Sequence, residues 1–88
     1  TQALYFMNNE FMHAQANALA KRLAKLSPDS TRRIQRAHRL ALGRPATERE
    51  VVDAAGFITA YSAASDEAKA WDTWCRVLLS SNEFLYVN

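Results

Sequence analysis

The chain has 88 residues, 49% of them hydrophobic and 23% charged, with two Gly, two Pro, a single Cys and a formal net charge of +2. A chain this short makes one small domain, residues 1–88, because it buries only about 60–65% of its unfolded surface and must use the apolar face of every element. The composition excludes the disordered and low-complexity classes, the lone Cys75 excludes an internal disulfide, and the lack of a CxxCH excludes covalent c-type haem attachment here.

A net charge of +2 is too small to mark a nucleic-acid binder by itself, so the placement of the Arg residues matters more than their sum. No run approaches the roughly 18–20 apolar residues a membrane helix needs. Thr1 begins in mid-pattern with no positively charged leader, and the missing start Met leads to the expectation that the sequence is an excised fragment of a longer protein.

In chain order, residues 2–7 form a short apolar piece with room for one or two helical turns, and Asn8-Asn9 reads as a break able to cap the next helix. Met12, Ala16, Leu19, Leu23 and Leu26 then recur at helical spacing on one stripe, with Gln15, Asn17, Lys21 and Lys25 elsewhere. Ser27-Pro28-Asp29 supplies a capping hydroxyl, a proline suited to the first helical position and a carboxylate for the first turn. A second helix is therefore expected to start at Ser27.

In that helix Ile34, Ala37 and Ala41 share one face, flanked by Leu40 and Leu42, while Arg32, Arg36 and Arg39 fall together on the other. Gly43 offers the left-handed residue that ends helices, and Pro45 stops the helix from resuming at once. Thr47 and Glu50 stand at capping-box spacing for a third helix. Val51, Ala54, Ala55, Ile58 and Tyr61 line that helix, with Phe57 at the margin. Ser65-Asp66-Glu67 caps a fourth, whose stripe is Trp71, Trp74, Cys75 and Leu78; aromatics that bury about 150–250 Å² each should dominate the core.

Phe84, Leu85, Tyr86 and Val87 end the sequence on an apolar note. An isolated strand would have nothing to pair with, so these residues read as a last helical turn plus an extended segment, with Phe84, Leu85 and Tyr86 packed on Trp71, Trp74 and the first helix. The expected architecture is all-α: a small orthogonal bundle of about four helices with short connections.

The candidate chemistry is sparse. His13 and His38 fall on different helices, with Glu10 and Glu83 as possible further ligands, and nothing in their spacing forces them together. Cys75 has no basic residue or His at helical spacing, which makes it a small buried hydrophobe and not a thiolate nucleophile. Ser80-Ser81 reads as a helix-end pair. No catalytic, cofactor or metal residue is assigned, and no cofactor is expected.

The basic residues Arg32, Arg33, Arg36, Arg39 and Arg44 form the candidate interaction surface. A DNA-binding helix-corner-helix is the competing reading, but the helix after the corner opens Glu48-Arg49-Glu50 and is poorly suited to a major groove. Salt bridges to Glu48, Glu50, Asp53, Asp66 or Glu67, or a protein-docking role, are favoured.

Three stretches, ALYFMNNEFMHAQA, RRIQRAHRLALGRPATEREV and LLSSNEFLYVN, together resemble the C-terminal part of a planctomycete family, the domain of unknown function 1553. The family is found in large proteins associated with cytochrome c-like domains, and the resemblance runs over nearly the whole chain. Position 38, commonly aromatic in such sequences, is His38 here. The resemblance implies an exported or periplasmic parent working near haem proteins and assigns no catalytic residues.

The expected function is a non-catalytic structural or protein-interaction module whose partners are the remaining domains of the parent, among them a cytochrome c-like domain. The alternatives are part of an active-site or redox-partner surface of an enzymatic parent, and a small nucleic-acid-binding domain.

Overall fold

Where the apolar periodicity is strongest, the computed structural model, which describes residues 10–81, places helices: α1 (Glu10–Leu26), α2 (Ser30–Leu42), α3 (Glu48–Ala64) and α4 (Glu67–Leu79). No strand occurs among the described residues. The expectations for residues 2–7, for the Asn8-Asn9 cap and for the ending at Phe84, Leu85, Tyr86 and Val87 lie outside them. The connections, residues 27–29, 43–47 and 65–66, are short enough to hold successive helices as neighbours in a small all-α bundle.

The helix that the others share is α4. It packs most extensively against α1 and α3 and also touches α2. Its buried face is broad, running through Ala70, Trp71, Trp74, Cys75, Leu78 and Leu79. The two indoles meet edge to face, with centroids 5.7 Å apart and an interplanar angle of 89°, the arrangement that the ring quadrupole favours. Met12, Ala16 and Leu23 from α1, Ile34 and Ala37 from α2, and Ala54 and Ile58 from α3 complete the core. Val51, Ala55, Phe57 and Tyr61 pack against its edge as the periodicity of α3 requires.

Leu26 departs from the stripe on which the sequence places it, being 42% exposed. The reason is helical drift. At 3.6 residues per turn the buried arc of α1 centres on Ala16 and takes in Met12, Ala20 and Leu23, which leaves Leu26 about 80° off centre. Ser27, one residue further, turns back inward and is buried.

His38 is the opposite case. It shares the Ile34 face of α2 and is 5% exposed, with its ring 5.8 Å from that of Trp74.

Two of the expected caps move. Asp29, not Ser27, is the N-cap of α2, its carboxylate accepting from the Arg32 N–H at 3.2 Å. Ser27 Oγ instead accepts from the Asp29 N–H at 3.0 Å, and Pro28 stays ahead of the helix. Likewise Asp66 caps α4 through the Lys69 N–H at 2.8 Å, while Ser65 closes α3 by donating its N–H to Tyr61 O. In both places a serine precedes a carboxylate, and the carboxylate makes the stronger, charge-assisted bond at the positive end of the helix dipole.

The corner between α2 and α3 follows its local instructions. Gly43 has φ 74°, in the left-handed region, and its N–H reaches Arg39 O at 3.0 Å. Thr47 Oγ1 accepts from the Glu50 N–H at 3.1 Å, and Glu50 Oε1 accepts from the Thr47 N–H at 2.9 Å, so the capping box is complete.

Candidate functional site

The five arginines of the candidate surface divide into two groups. Arg33 is half-buried; its Nε donates to Ser27 O at 2.6 Å and its guanidinium lies 5.0 Å from the Trp71 ring centroid. A cation held over an indole face ties the start of α2 to α4. Arg44 forms a two-pronged pair with Glu50, Nη1 to Oε1 and Nη2 to Oε2, each at 2.9 Å. Its Nη1 also donates to Pro45 O. These two side chains hold the fold and the corner together.

Glu50 is the centre of that corner. The Arg44 guanidinium beside it and the Thr47 backbone N–H hold its carboxyl at about 2, well below its ordinary 4.5. His38 stands behind it. Its Nδ1 lies 3.0 Å from Ile34 O, an acceptor only, so that nitrogen carries the proton and Nε2 faces Glu50 Oε1 at 4.0 Å. Gln35 braces the corner from α2, accepting from the Ala46 N–H at 2.9 Å and donating to Ala46 O at 3.2 Å.

Arg32, Arg36 and Arg39 behave differently. They are exposed, lie on one side of α2 within roughly 60° of arc, and span about 10 Å along the axis. Among the described residues no carboxylate lies within ion-pair distance of any of the three. Of the expected acidic partners, Glu50 pairs with Arg44, and Asp53 pairs with its own-helix neighbour Arg49 at 3.3 Å.

The three arginines line an open groove of about 450 Å³ together with Leu26, Gln35 and Pro45. An adjoining groove shares Leu26 and Arg36 and adds Arg22 and Lys25 from α1. The spacing along α2 reveals the first three cations. No spacing marks Arg22 and Lys25, because their role depends on how the end of α1 sits beside α2. Chemically the surface offers forked, permanently charged donors that recognise carboxylates or phosphates.

The remaining candidates stay apart. His13 is exposed on α1, with Nδ1 3.5 Å from Arg76 Nη1 on α4, while His38 is enclosed behind the corner. Glu83 lies outside the described residues. Among those described, no group of three or more His, Cys, Asp or Glu side chains is placed to hold a metal ion. Cys75 is buried, and desolvation, aided by the nearby Asp72 charge, pushes its thiol up to about 12. None of the described helices is long and apolar enough to cross a membrane.

The family model described as PSD1, a protein of unknown function (DUF1553), matches residues 1–58. The match therefore covers the basic face, the corner and most of α3, and ends short of α4 and the LLSSNEFLYVN stretch. No curated protein and no solved structure matches the chain.

Proposed function

The chain belongs to the PSD1 (DUF1553) family, and on that footing we propose that it serves as a non-catalytic interaction module that docks onto the remaining domains of a longer parent through the exposed face of α2. The observation that carries this reading is the division of labour among the arginines. Arg33 and Arg44 are tied internally, whereas Arg32, Arg36 and Arg39 stand side by side in solvent without a carboxylate from the described residues.

Three like charges this close repel one another modestly, and no described intramolecular pair offsets that repulsion. An external anionic surface would. That the partner includes a cytochrome c-like domain, and that the parent is exported, are finer readings resting on the sequence resemblance alone. A haem spectrum of material co-purifying with the chain tests the first of them.

The test of the reading itself is association between the 88-residue chain and the separately expressed remainder of its parent. Replacing Arg32, Arg36 and Arg39 together with Gln should weaken that association roughly tenfold or more, with a steep dependence on salt in the unmodified chain. Unchanged affinity would show that the α2 face is not where the parent docks.

A further inference from the structure

Resting on the reading of α2 as a docking face, we infer that the surface takes an acidic polypeptide segment that seats one apolar side chain against Leu26, with Arg22 and Lys25 of α1 completing the cationic surround. The two adjoining grooves meet at Leu26 and Arg36. Their cations come from both helices: Arg22 and Lys25 from the last turns of α1, Arg32, Arg36 and Arg39 from α2. Leu26, at 42% exposed, is the apolar side chain that lines both grooves, and Pro45 also lines the groove along α2.

This combination fits a peptide better than a nucleic acid. A phosphate backbone would satisfy the guanidinium groups but has nothing to set against a leucine. The cationic row of α2 also covers only about 10 Å, some three or four residues of extended chain. Carboxylates spaced along a polypeptide match the forked arginine donors, and an apolar residue among them is excluded from water on meeting Leu26 and the aliphatic stems of Arg36 and Lys25.

The probe is a fluorescently labelled short peptide of alternating Glu and Ser with one central Leu, titrated with the 88-residue chain and followed by anisotropy. Micromolar binding is expected, weakened roughly tenfold when Gln replaces every Glu and roughly fivefold when Ser replaces the Leu. The Arg22→Gln, Lys25→Gln double variant and Leu26→Ser should each weaken it about threefold or more, with circular dichroism showing an intact helical fold. No binding of the probe, equal binding of the Leu-less peptide, or tighter binding of a random-sequence duplex overturns the inference.

The two levels separate cleanly. If the parent's remainder is lost on changing Arg32, Arg36 and Arg39 but held normally by the Arg22, Lys25 and Leu26 variants, the docking reading stands and this inference fails. If the remainder ignores the α2 arginines, the docking reading itself fails.

Discussion

Gly43 and Cys75 show what single positions decide. A Cβ built at Gly43 meets no atom within 4 Å, so space does not forbid a side chain there; the positive φ of 74° does. Gly43→Val should therefore destabilise by more than about 1 kcal/mol, lowering the melting temperature by about 4–8 °C or more, because a β-branched residue resists the left-handed region. An unchanged melting temperature would mean that the corner tolerates another backbone. At Cys75, burial and a thiol raised to about 12 leave almost no thiolate at neutral pH. An alkylating reagent followed by mass spectrometry should modify it slowly in the native chain and rapidly in denaturant; fast native labelling would contradict the burial.

Both positions are legible in sequence, for local reasons. Gly43 follows a helical pattern and precedes a proline, and Cys75 lies on the stripe of two tryptophans. His38, Arg33 and Arg44 are not legible in the same way. A histidine carries no mark of its burial until Trp74 is known to lie over it. A long arginine reaches whatever acceptor the fold supplies, Ser27 O for Arg33 and Glu50 for Arg44, and such acceptors lie beyond one helical turn.

At the scale of elements, the corner joining α2 to α3 carries its own acid sensitivity. Glu50 has a folded value near 2 against an ordinary 4.5, held down first by its hydrogen bonds with Arg44 and then by the Thr47 N–H. A depressed carboxylate contributes stability that is fully present above the unfolded value and is lost as pH falls through the folded one. The contribution of Glu50 is thus expected to be constant above about pH 5 and to fade towards pH 2. With about a third of the side chain exposed, screening keeps it near 1 kcal/mol. In urea titrations Glu50→Gln should be less stable than the parent chain at pH 7 by about that amount, the two converging near pH 2. A gap that persists at pH 2 would assign the effect to packing.

The existence, order and faces of the helices follow from periodicity, but their ends less so. Ser27 and Ser65 compete with Asp29 and Asp66 as caps, and both hydroxyl and carboxylate satisfy the same pattern. Leu26 fits a coarse apolar stripe and escapes the buried arc only because drift accumulates over the length of α1.

For the molecule as a whole, the sequence conveys an all-α bundle and a basic face, and the structure adds what the face is made of. α4, which lies beyond the residues matched by the family model, supplies the widest buried surface, so the matched part and the remainder share one core. The proposed docking surface arises from two helices whose relation no local motif encodes, which is why Arg22 and Lys25 join it only in three dimensions. The apolar interior stabilises the bundle, and the α2 arginines are held outside that role.

Urea unfolding of the chain with Arg32, Arg36 and Arg39 all replaced by Gln tests that separation without any partner. The expected unfolding free energy is within about 0.5 kcal/mol of that of the unmodified chain, or slightly above it as mutual repulsion is relieved. A loss greater than about 1.5 kcal/mol would show that these arginines support the fold from within and would contradict a surface reserved for recognition.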